Sequence, residues 1–226
     1  MNYFSIIKGT QETEAGTDLL IHIPNELLRE RIIQYKAYNV EVRIDDGRTI
    51  SNEQRKKIYA TIKDISLYTG DDPEYLKEFL KFDYCGESGE KYFSLSDCSI
   101  DTAREFISHL IDFILKENIP LSELAINRTD DIDRYLYGCI KYRRCCITGK
   151  SIGVDIHHCE GSRVGMGGNR KKISNIGREL MALSREWHSR VHNEGEEAIF
   201  KAYKIYGVEI GQATLRALEI TDADIT

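Results

Sequence analysis

The sequence predicts a mixed α+β fold in two parts, an N-terminal α+β domain over residues 1–130 and a second domain over residues 131–226. Three observations carry this expectation. Capped amphipathic helical segments follow one another between Ser51 and Ile140, short strand-like stretches lie at Leu19–Ile23, Val40–Ile44 and Val154–His158, and the charge changes sign near residue 141. A chain of 226 residues suits one large domain or two small ones, and the polar stretch Asn127-Arg128-Thr129-Asp130 is the natural boundary.

The elements follow in order. Leu19–Ile23 and Val40–Ile44 read as strands from their β-branched content; the second alternates strictly and ends at an Asp46-Gly47 turn. Ser51-Asn52-Glu53-Gln54 matches a capping box, in which the serine hydroxyl accepts a backbone N–H and the glutamine reaches back to the cap. Ile58, Ile62 and Ile65 continue the helix it starts, and Gly70 supplies a left-handed end. Asp72-Pro73 opens a short helix with Tyr75, Leu76, Phe79 and Leu80 as its apolar positions. Ser99 caps a longer one, where Ala103, Phe106, Ile107, Leu110, Ile111 and Ile114 recur three and four apart until Asn118-Ile119-Pro120 ends it. A fourth helix starts near Asp131 with Ile132, Tyr135, Leu136, Cys139 and Ile140 on one side.

Composition excludes several classes. The chain is 41% apolar and 30% charged, which is ordinary for a folded globular protein and unlike a disordered or fibrous one. No run approaches the roughly 18 to 20 apolar residues of a membrane span, and Met1-Asn2-Tyr3-Phe4 lacks the basic start of a signal peptide. A cytoplasmic protein without membrane contact is therefore expected. By the same reasoning the six cysteines are expected as free thiols.

The net charge of −6 is unevenly spread. Residues 1–140 hold 17 basic and 26 acidic side chains, residues 141–192 hold 11 and 4, and residues 193–226 hold 3 and 7. A basic window inside an acidic chain is the footprint of a phosphate-contacting site, and four of the six histidines fall within it. Val154-Asp155-Ile156-His157-His158 reads as a strand running into a Gly161 turn. Consecutive strand side chains face opposite ways, so both imidazoles can serve one site only where the strand ends. His188 and His192 stand four apart, on one face of a helix, and such a pair can chelate a divalent ion. A His-x3-His pair alone also arises on solvated helix faces. Joined to a His-His strand end, the glycine-rich loop Gly165-Met166-Gly167-Gly168 and a basic surround, it points to phosphodiester hydrolysis. That reaction needs a metal to offset charge on the scissile phosphate and a base to take a proton from water. Arg163, Arg170, Lys171 and Lys172 flank the loop and suit phosphate contacts, against the plainer reading of a solvated basic loop.

From Tyr135 to Ile210 the sequence resembles HNH nucleases of phages that infect Gram-positive bacteria. The likeness rests on Asp155-Ile156-His157-His158, Arg163-Val164-Gly165-Met166-Gly167, Asn169-Arg170, Gly177, Met181-Ala182-Leu183, Arg185-Glu186, His188, His192, Gly195 and Tyr206-Gly207. The resemblance implies a ββα-metal fold holding one divalent ion, magnesium, manganese, nickel or zinc, with His157, His188 and His192 as ligands. It makes His158 the general base and Asn175 the residue that orients it, although Glu179 stands closer to the usual offset from the helix. Asp155 either steadies an imidazolium or plays a structural part, the second being preferred. Many relatives carry a structural zinc at positions that here read Cys145, Thr148, Ser184 and Trp187; three of the four ligands are replaced, so no structural zinc is expected and Trp187 is expected to pack as core.

The first 130 residues resemble the Orf (NinB) family of phage recombination mediators through Arg48, Ser51-Asn52-Glu53-Gln54-Arg55, Tyr59, Ile62, Lys77, Phe93-Ser94 and Asn118-Ile119-Pro120-Leu121. That resemblance implies a homodimer binding single-stranded DNA beside single-strand-binding protein. Together the two imply a phage or prophage endonuclease that cuts single-stranded or branched DNA in recombination or replication. A mediator whose HNH module only binds DNA is the alternative, and an RNA or small-molecule hydrolase is more remote.

Overall fold

Each main helix begins where a side chain can accept the backbone N–H groups that a helix start leaves unpaired. In the computed structural model, which describes residues 5–23, 25, 28–36, 42, 47–161 and 174–211, these caps all form. Ser51 and Gln54 make the reciprocal capping box that starts α2 (Asn52–Thr69), with Gly70 left-handed at its end. Asp72 caps α3 (Pro73–Ser88) and Ser99 caps α4 (Ile100–Glu117), which stops at a left-handed Asn118. Asp131 accepts the Arg134 N–H at 3.0 Å to open α5 (Ile132–Lys141). Helix α3 is not short as expected. It runs to Ser88 because Tyr84 continues its buried face one turn beyond Leu80, until Gly89 turns left-handed.

Before these helices, β1 (Ile6–Thr13) and β2 (Gly16–His22) form an antiparallel hairpin, and α1 (Leu28–Tyr35) follows. The expected Leu19–Ile23 strand is β2, which begins three residues earlier, at Gly16, and ends one earlier, at His22. Of the expected Val40–Ile44 strand, all but Val42 lie outside the described residues.

Helix α4 is the centre of the first layer. Phe106, Ile107, Leu110, Ile111 and Ile114 are buried against Ile58, Ile62 and Ile65 of α2 and Leu76 and Leu80 of α3. Asp64 of α2, itself buried, accepts from the Arg128 guanidinium at 3.2 Å and from the backbone and hydroxyl of Ser122 at 3.2 and 3.0 Å. This ties the segment after α4 back to the helices.

Helix α5 carries the chain onward by packing on α4 with one side and on the second sheet with the other. Gly138 permits the close crossing: a Cβ there would lie 2.9 Å from Leu115 Cδ1. The second sheet has the order β3 (Val154–His158), β4 (Arg178–Ser184), β5 (Val208–Ile210), all antiparallel. Leu180 to Leu183 of β4 are buried, while α6 (Arg185–Glu194) and α7 (Glu196–Tyr203) follow it directly. Arg144, one of the cations in the basic window, is spent on structure. Its guanidinium donates to Leu115 O and Asn118 Oδ1, both at 2.6 Å, closing the carbonyl end of α4. Among the described residues no helix is long and apolar enough to cross a membrane.

Asp64 is the buried carboxylate partner of Arg128, whose other one is the exposed Glu123. Asp64→Ala is expected to cost about 1–3 kcal/mol, measured as a lower urea midpoint with an unchanged slope.

Candidate metal centre

The centre is assembled from one strand and one helix that starts where the next strand stops. His157 stands opposite Met181 in the β3–β4 ladder, and Ser184, the last residue of β4, caps α6 by accepting the Trp187 N–H at 3.5 Å. No loop intervenes between β4 and α6, so the register of β3 on β4 fixes where His157 lies against the helix. His188 and His192, one turn apart, have ring centroids 4.8 Å from each other and 5.0 and 5.3 Å from that of His157. One ring nitrogen from each residue lies within 4.8 Å of the others.

This donor set fits a divalent ion. Three nitrogens bound to one ion at about 2.1 Å lie about 3.4–3.6 Å apart, so the rings need close by at most on the order of an ångström. Burial holds the His157 imidazole below the usual histidine range; Glu196 pulls the other way, and His188 and His192 reinforce burial. The neutral imidazole is the form that ligates. His157 is 1% exposed, His188 half-buried and His192 exposed, so the cluster runs from the core to the surface and leaves a solvent-facing side for substrate.

His158, the last residue of β3, takes no part in this cluster. Its Nε2 lies 3.0 Å from Oδ1 of Asn175, which is buried at 3% exposure in the turn before β4. With the carbonyl oxygen accepting, the imidazole carries its proton on Nε2 and its lone pair on Nδ1. Of the two candidates for the middle position, the structure brings Asn175 to His158. Glu179 instead meets β3 through its backbone, accepting from Cys159 N–H at 3.0 Å. Asp155 lies 3.7 Å from the exposed Arg185 guanidinium. Arg163, Arg170, Lys171 and Lys172 lie outside the described residues.

Sequence reading missed Glu196, the first residue of α7. Its Oε2 is 3.2 Å from His157 Nε2, and its two oxygens accept from the Glu160 N–H at 2.9 and 3.0 Å. With Cys159 and His157 it makes a second grouping of metal-capable atoms. Burial, and then the Glu196 charge, push the Cys159 thiol up to about 12, so it faces the carboxylate as S–H. Glu196 sits among Glu194, Gly195 and Glu197, and nothing in that acidic run singles it out.

Comparison with known proteins gives one match. The family model described as "Putative HNHc nuclease" matches residues 24–218, on both sides of the Asn127–Asp130 stretch. No curated protein and no solved structure matches the chain.

The positions where relatives of the resembled nucleases hold zinc are filled in another way. Cys145 keeps a tight turn, donating its N–H to Lys150 O at 2.9 Å and accepting from Gly149 N–H at 2.7 Å. Thr148 is half-buried and Ser184 is the α6 cap. Trp187 is buried edge-on to Tyr203 at 4.9 Å, with the Arg190 guanidinium 4.1 Å over its ring. Among the described residues, both groupings able to hold a metal contain His157. Trp187→Ala is expected to cost about 3–5 kcal/mol, read by chemical denaturation, because it empties the space between α6 and α7.

Proposed function

The chain belongs to the HNHc nuclease family, and on that premise we propose that it is a divalent-metal-dependent endonuclease that hydrolyses DNA phosphodiester bonds. The observation that carries this reading is the division of labour around one strand end. Three imidazoles, His157, His188 and His192, converge as a ligand set, and a fourth, His158, is held apart by Asn175 with a lone pair available. Magnesium, manganese, nickel or zinc each suits such a set to some degree, and affinity order alone does not choose. A bound ion supplies positive charge against that growing on the scissile phosphate and the departing oxygen.

The residues of the chain do the rest. His158 Nδ1 takes the proton of the attacking water as its oxygen bonds phosphorus and the phosphorus–oxygen bond to the leaving strand breaks. Asn175 holds the ring and its tautomer through Nε2–H. Glu196 holds His157 in the same manner: accepting from Nε2–H, it leaves the lone pair on Nδ1 and fixes the plane of the ring. Arg163, Arg170, Lys171 and Lys172 contact the phosphate backbone beside the centre.

The further reading gives residues 131–226 the cutting role and residues 1–130 an Orf-like role in binding single-stranded or branched DNA, as a homodimer beside single-strand-binding protein. The setting is phage or prophage recombination or replication in the bacterial cytoplasm. What supports it is the order of sequence features from Arg48 to Leu121 and the separate capped helices α2 to α4 that carry them.

Three outcomes test the centre. His158→Ala is expected to lower metal-dependent nicking of supercoiled plasmid by about 10²–10⁴-fold with DNA affinity within about twofold; equal cutting overturns the assignment. If the wild-type chain with metal leaves plasmid and branched DNA uncut, the binding-only mediator is the better account. Glu196→Gln is expected to weaken metal binding by about 10–100-fold in calorimetric titration, with the metal-free denaturation midpoint unchanged.

A further inference from the structure

We propose that the cleft between α2, α3 and the 92–96 segment is a second ligand site, and that it receives a nucleoside phosphate. This deepens the reading of residues 1–130 as a nucleic-acid-binding part and is independent of the histidine centre. The cleft has a volume of about 470 Å³, within the range of roughly 300–1,000 Å³ typical of small-molecule sites.

Its charge is opposite to that of its surroundings. Residues 1–140 are acidic overall, yet the cleft is lined by Arg55, Lys77 and Lys81 against Glu78, with Glu74 paired to Lys77 beside it, so cations remain in excess. Arg55 is held by neutral oxygens, donating to Leu95 O at 2.9 Å and Ser96 O at 3.0 Å, so its position is fixed without an opposing anion. Lys81 is 4% exposed and donates to Tyr92 Oη at 2.8 Å and Glu78 Oε2 at 3.4 Å. An ammonium has three N–H groups and these two acceptors serve two, leaving the third for whatever fills the cleft. A rigid guanidinium and a buried ammonium with a donor to spare are what a phosphate requires.

The aromatic lining completes the specificity. Tyr59 and Tyr92 are 44% and 53% exposed at the cleft walls, each beneath a lysine, Lys77 at 5.9 Å and Lys81 at 4.0 Å from the ring centroids. The Tyr92 ring is already engaged by Lys81 and by the Phe82 ring 5.1 Å away, so Tyr59 is the ring left for a ligand. An inorganic anion gains nothing from an exposed ring. A base stacks on it whatever its sequence, while its phosphate meets the cations. The ligand is either one unit of a strand or a free nucleotide.

The test uses the full chain carrying His158→Ala in chelator, so that neither cutting nor metal contributes. Anisotropy of a labelled oligothymidylate is measured with thymidine monophosphate and inorganic phosphate as competitors. Tyr59→Ala and Lys77→Gln are each expected to weaken oligonucleotide binding about tenfold, with unchanged denaturation midpoints, and Tyr59→Phe, which keeps the ring, is expected to bind normally. Competition by the mononucleotide at matched concentration identifies a free nucleotide; a need for about hundredfold excess identifies a strand unit. Wild-type affinity in both variants, phosphate competing as well as the nucleotide, or no binding by any probe overturns the proposal. Failure of the nuclease reading appears separately, as uncut plasmid with the metal-loaded wild-type chain.

Discussion

The register of β3 on β4 is the constraint from which the candidate centre follows. His157 sits opposite Met181, and three residues further along β4 the chain passes through Ser184 directly into α6. A one-residue slip of β3 would turn His157 away from the helix and put His158 or Ile156 in its place, because strand side chains alternate. The buried run Leu180 to Leu183 makes that slip costly, since it pairs with β3 along one edge, meets β5 at Leu180 and the Cys146 N–H at Ala182 on the other, and faces α5 and α6. The same alternation separates the two histidine tasks. His157 turns inward to the cluster and His158 turns to Asn175 across a single peptide unit.

Sequence made the helical part of this legible because caps and spacing are local. Ser51, Asp72, Ser99 and Asp131 each cap the helix their residue type suggests, and the spacing of His188 and His192 alone puts them on one face. The strand ending in His157-His158 was legible too, through alternation and the turn that follows. Glu196, the β4 run and β5 were not. A carboxylate becomes a partner of His157 only when α7 folds back beside β3, and no periodicity in the acidic run near Gly195 encodes that return. The β4 strand is buried on both faces, so its apolar run Leu180-Met181-Ala182-Leu183 lacks the alternation that marked β3. The length of α3 was misjudged for a related reason: Lys81 interrupts its apolar pattern, yet Lys81 is buried, held by Glu78 and Tyr92.

Charge counting also needs the structure before it means anything about ligands. The basic window of residues 141–192 includes Arg144, whose guanidinium closes the carbonyl end of α4. That cation serves the fold. Conversely, the acidic first part of the chain holds a cleft where three cations outnumber the carboxylates Glu74 and Glu78, which a window average over the segment conceals. Net charge reports solubility and long-range steering; the sign at a site is set by which side chains the helices bring together.

The residues around Cys145 and the start of α6 support the candidate centre by packing and backbone bonds. A structural zinc ties a turn to a helix through four bonds and contributes folding energy directly. Here the turn at Cys145 is held by backbone bonds, and Tyr135 of α5 donates to Cys146 O at 2.8 Å. The helix end is held by Ser184, and Trp187 fills the space toward Tyr203. These contacts run through α5, which leans on α4 at Gly138. Support of that kind is distributed, so it ties the geometry of His188 and His192 to the packing of α5 on α4 and on β4. The helices and the second sheet thereby share one buried core, and a change in that core is felt at the histidines.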